Sequence, residues 1–186
     1  MKFSKLKKHS PFSVYLSIAE IHKTELAGSI LSNLSIKRLA ILYKLLNELN
    51  YLNIYVAIRN NEIIGSLSLN TKLKLLKFFK MKGLYIFYLV IACYIRKPFS
   101  SLFLSYCKFK VYKNIKYDIN LPFLFIKKEL QGINIGSQLL NFVLNHTEGA
   151  ISVDTYSKDT RAINFYKQNG FSQIQSYKTI TVLLKT

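Results

Sequence analysis

The sequence predicts a mixed α+β domain, and three observations carry that prediction. Apolar runs with strand character bracket an Asn-Asn-Glu turn at residues 53–69, a strand–turn–strand signal. Helical spacing of apolar residues recurs at 36–49 and again at 134–145. Taken in order the elements read β, αα, βββ, α, β, α, ββ, with helices between runs of strands.

Residues 1–11 read as a basic, poorly ordered lead-in, and 12–18 as a first strand of period two. From 19 to 32 the pattern turns helical, with Gly28 as a break. Ser35 is placed as the N-cap of a second helix running to about Leu49, with Ile36, Leu39, Ala40, Tyr43 and Leu46 on its core face. Strands follow at 53–59 and 63–69, and Gly65 inside the second signals a bulge or a close approach. Residues 72–110 form a helical insertion between the third and fourth strands. It holds a Lys-rich start, an uncharged run at 83–95, a break at Arg96-Lys97-Pro98 and a second apolar run at 99–107. The main central strand lies within 112–126. A helix over 134–145, a strand over 150–155, a helix capped by Asp159 and ended at Gly170, and strands over 171–175 and 177–184 complete the chain.

At 186 residues the chain is long enough for one domain with a real core. Half of it is apolar, with 13 Tyr and 13 Phe, which excludes a disordered class. The formal charge is +18, from 27 basic and 9 acidic residues. Arg supplies only positions 38, 59, 96 and 161, so Lys carries the charge, and no base-reading module appears; no nucleic-acid partner is expected. The charge is read instead as attraction for an anionic cofactor, an anionic acceptor or an acidic membrane surface, or as compositional bias. Cys93 and Cys107 stand far apart in apolar company, giving neither metal spacing nor a disulfide framework. No metal is expected, and a reducing cytoplasm is the expected compartment.

The chemistry concentrates in 121–137, LPFLFIKKELQGINIGS. An apolar run, a charged break and a Gly-x-x-x-Gly segment read as strand, tight turn and helix. Glycines at 132 and 136 let a ligand approach the backbone, and the N–H groups of the new helix would face an anion, most naturally a diphosphate. The spacing matches neither the dinucleotide fingerprint nor the triphosphate P-loop. A second stretch lies downstream at 159–171, DTRAINFYKQNGF.

Together the two stretches resemble the GNAT family, the GCN5-related N-acetyltransferases. The counterparts of the family's turn are Gln131, Asn134 and Gly136; those of its later segment are Ala162, Phe165, Tyr166, Gly170 and Phe171. The resemblance implies a mostly antiparallel central sheet flanked by helices and acetyl-coenzyme A as co-substrate. It implies that Leu124, Phe125 and Ile126 bind the pantetheine arm through exposed backbone. Gln131, Gly132, Ile133, Asn134, Ile135, Gly136 and Ser137 would wrap the diphosphate, and Phe165 would lie against the cofactor. Tyr166 would be the general acid at the sulfur. Asn134 stands where the family usually has glycine, and Asp159 where it often has asparagine; Asp159 suits helix capping better than contact with an anionic cofactor.

The general base is not assigned; Glu25, His22 and Asp118 are the ionisable candidates, and the turn at 25–29 is expected to line the acceptor pocket. The expected acceptor is a small-molecule amine such as a nucleotide-linked amino sugar, favoured by a basic pocket. The alternative is a non-catalytic acyl-coenzyme A-binding or membrane-associated protein on the same scaffold. For 72–110 two readings stand: a buried or homodimer-forming hairpin, or a foot making peripheral contact with a membrane surface.

Overall fold

The computed structural model describes residues 1–71, 83–95 and 97–186. The Lys-rich start of the insertion, 72–82, lies outside the described residues, as does Arg96. The elements are β1 (Lys2–Lys5), α1 (Phe12–Glu25), α2 (Ile36–Glu48), β2 (Asn53–Arg59), β3 (Glu62–Thr71), α3 (Gly83–Ile95), α4 (Pro98–Tyr112) and β4 (Ile119–Ile126). Then follow α5 (Ile135–Leu144), β5 (Ile151–Tyr156), α6 (Thr160–Gln168), β6 (Ser172–Tyr177) and β7 (Ile180–Lys185). Short 3-10 turns occupy Ile30–Asn33 and Lys128–Leu130.

The strands form one sheet in the order β1-β2-β3-β4-β5-β7-β6. Every neighbouring pair is antiparallel except β4 and β5. The sheet is thus mixed and mostly antiparallel, as the resemblance implies, with α3 and α4 between the third and fourth strands.

Alternation along β2 splits its residues between two cores. Ile54 and Val56 join Tyr15, Ile18, Leu39 and Tyr43 under α1, α2 and α3. Tyr55 and Ala57 join Leu67, Leu121, Leu139, Leu140 and Tyr166 under α5 and α6. Burying a leucine such as Leu139 contributes about 1.5–3 kcal/mol, so this two-sided packing fixes the register of the sheet. Ser35 caps α2 by accepting from the Arg38 N–H at 3.4 Å. Asn60 and Asn61, with φ of 51° and 60°, supply the left-handed pair that a tight hairpin requires. Gly65 marks both features foreseen for it. Ile64 is the extra residue of a bulge against β2, and a Cβ on Gly65 would lie 2.8 Å from the Phe125 carbonyl oxygen.

Two expectations fail at the start of the chain. Residues 2–5 are not a loose lead-in; they form an edge strand on β2, and lysines on such an edge discourage pairing with other chains. Residues 12–18 are not a strand but the first half of α1, which buries Tyr15, Ile18, Ala19 and His22 at helical spacing. Tyr112 ends α4, so the central strand begins only at Ile119. No helix among the described residues is long and apolar enough to cross a membrane.

Candidate active site

The sheet comes apart at its centre. Parallel pairing of β4 with β5 covers only Ile119↔Ile151, Asn120↔Ser152 and Leu121↔Val153. Beyond Leu121, β4 stays with β3, while Asp154, Thr155 and Tyr156 stay with β7. Pro122 sits at the fork. It has no N–H to give to a ladder, and the β3–β4 register slips beside it. Among the described residues, the backbone of Leu124 to Ile126 therefore has a strand on one side only.

Two cavities open into the fork, of about 620 Å³ and about 410 Å³. They share Leu26, Leu124, Asp159, Ala162 and Tyr166. The larger is walled by Leu124, Phe125 and Ile126 on one side, by Gln131, Gly132, Asn134, Gly136 and Ser137 on a second, and by Arg161 and Phe165 on a third.

The 131–137 turn keeps its amides open. Among the described residues, none of the N–H groups of Gly132 through Ser137 donates within the chain; the next, that of Gln138, goes back to the Asn134 carbonyl. Four of these six residues line the larger cavity. Asn134 has φ 65° and ψ 10°, the left-handed region that Asn enters more readily than most residues. Gly132 also has positive φ, 85°. Gly136 is a close approach instead: a Cβ there would lie 3.3 Å from the Phe165 ring, so α5 and α6 meet at that glycine. Gln131 differs from its neighbours. Its N–H is spent on the Lys128 carbonyl, and its side chain donates to the Ile126 carbonyl (2.8 Å) and to Glu25 (2.9 Å).

Tyr166 lies where the cavities meet. It is 7 % exposed, its ring packs edge-on to Phe165 and Phe171, and its hydroxyl makes no hydrogen bond among the described residues. Burial, and then the charges of Asp154 and Asp159, pushes the phenol up, so it stays protonated at neutral pH. Asp159 accepts from the Ala162 N–H at 2.9 Å and caps α6.

The three base candidates separate. Asp118, at the far end of β4, accepts from the Ala150 N–H and lines neither cavity. Glu25 faces the larger cavity, but its carboxylate receives the Lys128 N–H and the Gln131 amide, bracing the turn. His22 is buried between Tyr43 Oη and Ser29 Oγ, with its Nε2 2.7 Å from the serine, and only Ser29 reaches the smaller cavity. Burial, then the charge of Lys23, lowers its pKa to about 4.

The smaller cavity is lined by Lys108 and Asp154, which sequence reasoning passed over. Asp154 receives the Tyr112 hydroxyl at 3.1 Å, and Tyr112 receives the Asn120 amide at 3.0 Å. Lys108, from the insertion, pairs with Asp154 at 2.6 Å. The signal available was Asp154 itself, a carboxylate set inside a strand. Pro122, hidden inside the apolar run, was the sign of the fork. Tyr156 donates to the Gly28 carbonyl at 2.7 Å and fastens the turn after α1 over this cavity. Among the described residues no cluster of His, Cys, Asp or Glu is arranged to hold a metal.

A family model for the acetyltransferase (GNAT) domain matches residues 102–173, which run from α4 through the fork to the start of β6. No curated protein matches the chain. Solved structures share its fold over nearly its whole length. An acetyltransferase from Thermus thermophilus superposes with a TM-score of 0.62 at 12 % identity, covering 100 % of this chain and 97 % of its own. The PaiA N-acetyltransferase from Thermoplasma acidophilum, in complex with coenzyme A, gives 0.60 at 13 %, covering 100 % and 99 %. A GNAT family acetyltransferase from Elizabethkingia anophelis with acetyl-CoA bound gives 0.56 at 14 %, covering 99 % and 96 %.

Proposed function

We propose that this chain, which has the GNAT acetyltransferase fold, transfers the acetyl group of acetyl-coenzyme A directly to an acceptor amine. The observation that carries this is that, among the described residues, the six amides of 132–137 donate to nothing in the chain, and four of those residues line one cavity with the open edge of β4. Such a run at a helix N-terminus suits a diphosphate. The adjoining β4 edge suits an amide-bearing arm, which would add to it as a strand does.

In the reaction the amine nitrogen attacks the thioester carbonyl carbon. The C–N bond forms, the C–S bond breaks, nitrogen loses a proton and sulfur gains one. No covalent intermediate on the protein is needed. Tyr166, protonated and lining both cavities, would donate to the departing sulfur. Backbone N–H groups at the fork would steady the oxyanion.

Calorimetric titration with acetyl-coenzyme A tests the reading, with thiol release as the turnover assay. Ligand at a hundred times Kd should raise stability by about 2.7 kcal/mol. An absence of binding at saturating concentration would leave only a non-catalytic role on this scaffold.

A second feature favours a membrane surface as a partner. On one side of α4, Phe99, Leu102, Phe103, Tyr106 and Phe109 are all exposed, Phe99 at 89 %. Lys110 and Lys113 continue that side, and Lys178 lies 5.3 Å over the Phe103 ring. Aromatic residues amid lysines suit an anionic bilayer.

A further inference from the structure

We infer that the acceptor is a small primary amine on an uncharged, apolar body, rather than an anionic amino sugar or a polyamine. The inference rests on the acetyltransferase reading above and concerns the smaller cavity of its site.

The chain carries +18, yet among the described residues that charge is not gathered in this cavity. Among the described residues that line it, only Lys108, Asp154 and Asp159 are Lys, Arg, Asp or Glu, a formal sum of −1. Asp159 is engaged with the Ala162 N–H, and Lys108 is already paired with Asp154. Among the described lining residues, no uncompensated cation is left to receive a phosphate. A polyamine would need several acceptor groups along its length, and one engaged carboxylate pair does not supply them. The rest of the wall is mostly apolar: Ile30, Leu31, Leu104, Phe123, Val153 and Ile180 are representative. A cavity of about 410 Å³ with such a wall and one polar cluster is the form of a site for a compact apolar ligand.

The polar cluster gives such a ligand its orientation. The Asp154 side chain is 10 % exposed and held by Tyr112, while Lys108 is 45 % exposed. An entering ammonium can take the lysine's place on Asp154, since a half-exposed lysine regains water when released. The amine is then held on β5, just past the fork and within the cavity that Leu124 and Tyr166 also line. There it gives one proton to solvent and attacks as the neutral base. Asp154 is a positioning residue in this account. Leu104 and Lys108 both come from α4, so the insertion itself helps to set the acceptor.

The test is a thiol-release panel at saturating acetyl-coenzyme A: 2-phenylethylamine, spermidine, a nucleotide-linked amino sugar and a short peptide with an apolar N-terminal residue. The expected result is kcat/KM for 2-phenylethylamine at least tenfold above each of the others. Asp154→Asn should raise KM for 2-phenylethylamine about tenfold, leaving acetyl-coenzyme A Kd unchanged. Leu104→Asp should abolish ligand-observed NMR binding of 2-phenylethylamine without moving that Kd. Preference for spermidine, the amino sugar or the peptide overturns the inference and leaves the acetyltransferase reading standing. Failure to bind acetyl-coenzyme A overturns that reading, whereas the NMR titration still decides the cavity: no Leu104-dependent binding of 2-phenylethylamine overturns the inference.

Discussion

The Gln131 side chain straps the 131–137 turn to the end of β4: its amide donates to the Ile126 carbonyl at 2.8 Å and to Glu25 at 2.9 Å. Both partners sit on elements that wall the larger cavity, so the strap fixes the open amides relative to the β4 edge. Gln131→Ala should weaken acetyl-coenzyme A binding about tenfold, or about 1.4 kcal/mol, by loosening a preorganised site. Calorimetry reads this directly; an unchanged Kd would show that the strap does not hold the cofactor side.

Tyr166→Phe keeps the edge-on packing with Phe165 and Phe171, at centroid distances of 5.1 and 5.5 Å, and removes only the hydroxyl. The expected loss is roughly 10- to 100-fold in kcat, at the lower end of general acid catalysis, with Kd for acetyl-coenzyme A kept. Burial raises this phenol above the ordinary tyrosine value, so wild-type kcat should show no alkaline fall through about pH 9 from its ionisation. Turnover unchanged in the variant would remove Tyr166 from the chemistry.

The back half of the chain was legible because local chemistry and packing agree there. Ser35 and Asp159 announce helix starts and do cap them, and the Gly-rich bend after an apolar run is the turn that it looked to be. The front was not legible for a physical reason. Helix α1 lies against the sheet and α2 at once, so Phe12, Val14 and Leu16 are partly buried beside the fully buried Tyr15 and Ile18, and the mixture mimics alternation. Strand β1 has lysine at both ends, and its Phe3 stacks 5.9 Å from Phe142, a contact no local pattern shows. The cavity wall built by α4 and β5 joins residues 108, 112 and 154, and a pairing across more than forty positions leaves no spacing signal.

Asn134 replaces the glycine usual in the resembled turn, and its left-handed backbone makes it a test of what the turn needs. Asn134→Gly should leave stability within a few tenths of a kcal/mol, since glycine enters that region freely. Asn134→Val should cost about 1–3 kcal/mol, because a branched side chain is strained at φ 65°. Urea melts of the two variants check this; equal stabilities would mean that the turn relaxes out of the left-handed region.

The α4 aromatic stripe predicts binding to vesicles containing phosphatidylserine and little binding to phosphatidylcholine alone. Phe99→Ser with Phe109→Ser should reduce sedimentation with the anionic vesicles at least fivefold, since both rings are more than 60 % exposed and little is lost from the fold. Unchanged sedimentation would show that lysines elsewhere do the binding. A fall in apparent mass by light scattering without vesicles would assign the stripe to a homodimer.

His22 gives the fold an acid limit. It is fully buried, meets Tyr43 and Ser29 through its two ring nitrogens, and has the Phe123 and Phe125 rings 5.0 and 5.5 Å away. Burial first, and Lys23 second, lowers its pKa from 6.5 to about 4. Between those values the unfolded chain takes up a proton that the folded chain refuses, so stability falls as pH falls. The stabilisation is whole above pH 6.5, and its loss is complete near pH 4, where it amounts to roughly 3 kcal/mol at 1.36 kcal/mol per unit. Most carboxylates titrate below about pH 5, so urea midpoints compared at pH 7, 6 and 5 isolate the histidine. The expected loss from pH 6.5 to 5 is about 2 kcal/mol for wild type, and it should vanish in His22→Gln, whose stability at pH 7 is lower but flat over this range. A wild-type midpoint unchanged between pH 7 and pH 5 would mean that the imidazole accepts its proton inside the fold, and that the Tyr43–His22–Ser29 chain is not held neutral.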